Sequence, residues 1–213
     1  MLFSVNSFGQ KLIEKSISSR ADQVILEFNV IDQIELFNAK ADTEFSILAE
    51  GRTYFPDFDL KEVSGVVYLE ENDQVSEEEA YSVDKVCSIE PNFTSYQVFI
   101  PEGKMLYISF IEGNFFAKDF KGELNLIAED GILKLNHMPN TVNVRLSSGS
   151  IYAENINNTS IDAKTNLGSL ISDPPLDGLS ENKKHLMDTV GNGSKSLLIR
   201  TIMANIYLNV SKD

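Results

Sequence analysis

Gly113-Asn114-Phe115-Phe116, Gly131-Ile132-Leu133-Lys134, Gly149-Ser150-Ile151-Tyr152 and Gly168-Ser169-Leu170-Ile171 open four rows of one repeat, spaced 18, 18 and 19 residues apart. A fifth row opens at Ala204-Asn205-Ile206-Tyr207, after an insertion. Two places into each row stands an apolar residue: Phe115, Leu133, Ile151, Leu170 and Ile206. Seven, five and three places before the next row start run three more columns: Leu124, Val142, Ile161, Leu197; Leu126, Val144, Ala163, Ile199; and Ala128, Leu146, Thr165, Thr201. Alternation of period two inside a fixed longer period predicts strands stacked row upon row, each row too small to bury its apolar face alone. The fold class expected is all-β: a single-stranded parallel β-helix (a β-solenoid) of about five coils, right-handed by the general bias of β-structure. A left-handed hexapeptide helix shares the 18-residue period, but its apolar positions recur every sixth residue, and here they fall in two alternating strands with a corner between them.

Leu106, Ile108 and Phe110 precede Gly113 by the same seven, five and three places, so the repeat is expected to start near Ser95. Before it, alternating runs at Gln23 to Val30, Gln33 to Asn38, Thr43 to Ala49 and Gly65 to Leu69 predict short strands, with a loop at Pro56, Asp57 and Asp59. Further strands are expected at Val83 to Ile89, Ser95 to Ile100 and Met105 to Ile111, with a turn at Pro101-Glu102-Gly103. The division is therefore 11–94, an N-terminal β-rich region, and 95–213, the repeat, with the insertion at 173–196. Within the insertion, Leu179 to Val190 is expected to make a short helical turn or two. The whole insertion either presents a binding loop or caps the last coil.

Composition narrows the function. Eighteen basic residues against 32 acidic ones leave a net charge of −14, which excludes a duplex nucleic-acid binder in need of a basic footprint. No run approaches the length of a membrane-spanning helix. The single cysteine, Cys87, permits no intrachain disulfide and reads as a buried thiol. The acidic run Glu70 to Asp84 lacks the Asp-x-Asp-x-Asp-Gly spacing of a Ca²⁺ loop and reads as a solvated segment. No cofactor is expected. Residues 1–10, Met-Leu-Phe-Ser-Val-Asn-Ser-Phe-Gly-Gln, have no basic n-region and too short an apolar stretch for a complete signal peptide. They read either as a frayed amphipathic N-terminus or, by resemblance, as the last part of an export signal of the kind common in Bacteroidetes-type bacteria. An exported location is expected on the second reading.

Two outward columns could carry binding, because stacking turns a column into a ladder. One, three places after each row start, holds Phe116, Lys134, Tyr152, Ile171 and Tyr207. Its aromatics could stack on sugar rings or bury themselves against a partner chain, or the N-terminal strands or the insertion could cover them. The other, four places before each row start, holds Ile127, Arg145, Lys164 and Arg200. Its cations could hold an anionic polymer or acidic partner, or be neutralised by carboxylates such as Asp162 and Glu154. Catalysis is not expected. Asp162 shares its column with Asn125, Asn143 and Leu198, so no pair of carboxylates faces one groove, and His137 reads as a turn residue.

The phrases Ser148-Gly149-Ser150-Ile151-Tyr152, Asn166-Leu167-Gly168-Ser169-Leu170 and Ala204-Asn205-Ile206-Tyr207-Leu208 resemble the small-Gly-(Asp/Asn/Ser)-Ile-x-(Val/Leu) repeats of the bacterial putative-adhesin family, related to auto-transporter adhesin heads. The resemblance runs from about Val98 to the end of the chain. It implies a single-stranded β-helix and an exported location, and the family has no established catalytic residues to carry over. The outward aromatic column leaves as partners a glycan, a cell-surface protein or a second copy of the chain.

Overall fold

The computed structural model describes residues 11–51, 57–72, 94–138 and 140–211. The segment 1–10, Cys87, the strand expected at 83–89 and most of the acidic run lie outside the described residues. The described chain is all β, with no helix, in one 15-stranded mixed sheet that does not close.

Three long strands give the sheet its frame: β8 (Met105–Lys118), β9 (Glu123–Asn136) and β10 (Val142–Ile156). They are parallel and in register, with each residue of β8 opposite the residue 18 further along in β9, and β9 likewise opposite β10. Each strand passes through its row glycine without a shift of register, so a row has one arm before the glycine and one after it. Phe115, Leu133, Ile151, Leu170 and Ile206 are all wholly buried, as period-two alternation demands. Burial of each such side chain stabilises the fold by about 1.5–3 kcal/mol.

The glycine column has a steric cause. A Cβ on Gly131 would lie 1.7 Å from the carbonyl oxygen of Gly113, and one on Gly149 would lie 2.0 Å from that of Gly131. The backbone there also takes φ of +147° and +109°. Both the corner and the close approach of successive rows therefore exclude a side chain.

On the N-terminal side the stack continues past β8. β2 (Gln23–Glu27) pairs parallel with the first arm of β8, placing Val24 on Leu106 and Leu26 on Ile108. β3 (Val30–Asn38) pairs with the second arm, placing Ile34 on Phe115 and Leu36 on Ala117. These strands supply a further row with the same inward columns, interrupted by a bulge between Val30 and Gln33. Beyond them the pairing is mixed. β7 (Ser95–Ile100) lies parallel to β3, while β4 (Glu44–Gly51) and β1 (Lys11–Ser18) extend that edge antiparallel. β5 (Asp57–Val63) and β6 (Val66–Asn72) form a hairpin beside β2, so Asp57 and Asp59 sit in a strand and not in the expected loop.

The C-terminal rows do not stack in chain order. β14 (Lys195–Thr201) lies between β10 and β11 (Thr159–Thr165), parallel to both. β15 (Asn205–Val210) lies between β10 and β12 (Leu170–Asp173) in the same way. The last row in sequence is thus slotted between the third and the fourth. The insertion forms no helix. Its strand β13 (His185–Thr189) pairs antiparallel with the outer edge of β11. Leu179 to Val190 is apolar enough to suggest helical turns, but the open edge of β11 offers ladder hydrogen bonds that a helix would leave unmade. The insertion also serves the corner of that row: Thr165 donates its N–H to Lys184 O at 2.9 Å, and Leu170 to Lys183 O at 3.0 Å.

Candidate functional site

The first candidate column lies on the second arm of the rows. Spatially it reads Glu35, Phe116, Lys134, Tyr152, Tyr207, Ile171, because the displaced last row puts Tyr207 next to Tyr152. The two tyrosine rings stack with centroids 4.7 Å apart and planes 7° from parallel. Lys134 Nζ lies 5.3 Å from the centre of the Phe116 ring, a cation–π contact. Phe116, Tyr152 and Tyr207 are half-buried, and the strand of the insertion pairs on the other arm.

The second column lies on the first arm. Its spatial order is Ser109, Ile127, Arg145, Arg200, Lys164, His185, so the three cations stand in consecutive rows, with a histidine from the insertion beyond them. Arg200 is held in place. One guanidinium nitrogen donates to Asp162 O at 2.8 Å and Ile199 O at 2.9 Å, and the other pairs with the Asp162 carboxylate. His185 Nε2 lies 3.0 Å from the second carboxylate oxygen of Asp162. The hydrogen bond from Arg200, seconded by His185, holds the Asp162 carboxyl below its ordinary value, against the opposing effect of partial burial. Asp162 therefore neutralises Arg200, one of the two carboxylates that could have done so. Glu154 lies on the other arm and accepts instead from Asn136 Nδ2 at 3.2 Å. Arg145 and Lys164 are exposed and make no side-chain ion pair with any described residue.

An open groove runs along this arm, lined by Ile127, Glu129, Arg145, Lys164, Asn166 and Arg200. A second hollow on its other flank is lined by Tyr107, Asn125, Asn143, Arg145 and Arg200. Asn143 Nδ2 donates to Asn125 Oδ1 at 2.9 Å, and Tyr107 continues that column one row further. Sequence reasoning passed over Tyr107 and the asparagine pair as binding groups, although their 18-residue spacing marks them as a column. His137 is a turn residue, as expected. It shares a left-handed corner column with Asp119 and Asn155, at φ of +50°, +54° and +55°, and its Nδ1 lies 2.5 Å from Asp119 Oδ1. His, Asp and Asn are among the non-glycine residues best able to take that conformation.

No family model matches the chain, and no curated protein does either. Its fold is similar to that of a crystal structure described as a putative cell adhesion protein from Clostridium sporogenes. The TM-score is 0.67 at 12% identity, over 95% of this chain and 100% of that one. At that identity the likeness speaks for the fold alone. A putative adhesin from Bacteroides fragilis (TM-score 0.39, 11% identity, 93% of this chain and 97% of that one) superposes too weakly to inform the architecture. The same holds for a putative lipid binding protein from Parabacteroides distasonis (TM-score 0.31, 12% identity, 94% and 97%).

Proposed function

We propose that this chain is a non-enzymatic, exported β-solenoid that works as an adhesin-like scaffold, binding a glycan or a cell-surface protein on its aromatic ladder. In-register parallel rows at 18-residue spacing support the solenoid part of the reading, and the 95–213 repeat with its insertion is the part that presents the ladder. Export rests on the resemblance of residues 1–10 to the end of an export signal. The Clostridium sporogenes likeness, to a chain described as a putative cell adhesion protein, agrees with it.

The observation that carries the reading is the part-exposed tyrosine stack. The two rings stack on each other, with Lys134 between them and Phe116, and so present a shared edge carrying two hydroxyls, suited to the polar edge of a sugar or to a protein surface. Glycan-array and cell-binding assays on the wild type and Tyr152→Lys test it. A monomeric variant that has lost binding supports a ligand face. Undiminished binding by the variant would sink it.

The second reading, a structural module that self-associates, is favoured by the exposed apolar corner of Leu167, Ile202 and Met203. In that case the wild type is an oligomer by light scattering and Leu167→Lys with Met203→Lys a monomer, whereas loss of self-association in Tyr152→Lys would put the interface on the ladder. Location is read by protease treatment of intact source cells beside a lysed control. Digestion on intact cells supports surface display, and recovery in the cytosol with Met1 retained overturns export. Incubation with polyuronates is expected to release no oligosaccharide.

A further inference from the structure

The cation column stands in a net charge of −14, and most of its charge is left unspent. Asp162 has both carboxylate oxygens engaged, one by Arg200 and one by His185. It anchors the middle cation and leaves the flanking ones, Arg145 and Lys164, without a described carboxylate partner. These two lie one row to either side of Arg200, so their separation along the stack is about 10 Å, twice the strand spacing. Two cations unpaired among the described residues, about 10 Å apart in an open groove, match a linear polymer with repeated anions better than they match a compact anion. The flanking hollow adds what a carbohydrate needs: the Asn125 and Asn143 amides for hydroxyl groups, and Tyr107, 39% exposed, as a ring platform.

We infer that the groove along Arg145, Arg200 and Lys164 is a second binding site, for a linear polysaccharide bearing carboxylate or sulfate groups. It lies on the first arm of the rows, whereas the tyrosine ladder lies on the second. Arg200, its charge offset by Asp162 and its Nη1 spent on two carbonyls, stands as a fixed middle rung, and Arg145 and Lys164 supply the charge-assisted hydrogen bonds on either side. Glu129 lines the same groove and opposes an anion there. The rest of the chain repels a polyanion, so retention reports the local column and not a general attraction.

The test passes the full chain over immobilised polygalacturonate, dextran sulfate and unsubstituted dextran, at about 0.01 M and about 0.15 M salt. The expected result is retention on one or both charged polymers and none on dextran, with the stronger of the two identifying carboxylate or sulfate as the preferred group. Arg145→Gln with Lys164→Gln should weaken retention roughly tenfold or more, the loss expected for charge-assisted hydrogen bonds, with an unchanged melting temperature. Glu129→Gln should strengthen it, a gain that misfolding cannot mimic. Equal retention on dextran, no retention on either charged polymer at low salt, or indifference to these substitutions would overturn the inference. So would capture by anionic phospholipid vesicles in place of the polysaccharides. None of these failures touches the tyrosine ladder, which stands or falls by Tyr152→Lys.

Discussion

Tyr152 and Tyr207 lie directly opposite each other in the sheet with their rings stacked, although the whole of the fourth row and the insertion separate them in the chain. They meet because the last row enters the sheet between β10 and the fourth row. β14 and β15 therefore form ladder hydrogen bonds on both sides, and without them the facing edges of β10, β11 and β12 have no partner. Truncation after Gly193 should abolish cooperative unfolding, since a domain of this size has only about 5–15 kcal/mol to lose. A truncated chain that melts like the wild type would refute this. The row order has its own check. In a Cys87→Ser background, Tyr152→Cys with Tyr207→Cys should form a disulfide, because paired strands bring Cα atoms within bridging range. Tyr152→Cys with Ile171→Cys, two rows apart, should not.

Gly131 separates the two reasons for the glycine column. Its missing Cβ would lie 1.7 Å from Gly113 O, and the obstacle is backbone, which cannot swing aside. Gly103 has φ of +77° but open space around it. Gly131→Ala should cost on the order of 3 kcal/mol or prevent folding, and Gly103→Ala only about 1 kcal/mol, in urea unfolding. Equal costs would mean that φ alone governs the column.

The inward columns were legible because burial fixes their period. Leu124, Val142, Leu197 and Ile161 do occupy adjacent rows, as their spacing implies. The order of those rows was not legible, because Leu197 presents the same residue pattern whether it follows Ile161 in space or precedes it. The row of β2 and β3 was hidden for a different reason. Its residues lie 82 positions from their β8 partners before the bulge and 81 after it, so no constant offset reveals it. Of the candidate sites, the membership of both ladders could be read from spacing. That Asp162 neutralises a cation of the column could be read as well, but not that Arg200 is the one, because this depends on the displaced row bringing Arg200 beside Asp162.

Thr165 shows why the third inward column changes from Ala128 and Leu146 to threonine. Its hydroxyl donates to Ala204 O at 3.0 Å and accepts from Gly168 N at 3.0 Å, and Thr201 donates to the same Ala204 carbonyl at 3.1 Å. These rows break their ladder at the corner, so buried side chains complete the backbone there. Thr165→Val keeps the shape and strands the Gly168 N–H, at a cost of about 1–3 kcal/mol. Thr201→Val leaves that carbonyl with its Thr165 partner and should cost less. Reversal of the order in thermal or urea unfolding would contradict this assignment.

Asp162 makes stability depend on acid. Its carboxyl is held below the ordinary value of 3.8, chiefly by the hydrogen bond from Arg200, so the folded chain binds the proton less readily than the unfolded one. The contribution is complete above the unfolded value and drains away as the pH falls through the lower folded value. Asp162→Asn lacks it at every pH. The stability gap between wild type and variant should therefore be full at about pH 5 and close progressively below about pH 4. With the carboxylate 31% exposed, the gap should not exceed about 1 kcal/mol. Urea unfolding of both proteins across this range measures it. A gap that stays constant down to the acid transition would show that Arg200 gains nothing from the charge of Asp162 and is fixed by the carbonyls of Asp162 and Ile199 alone.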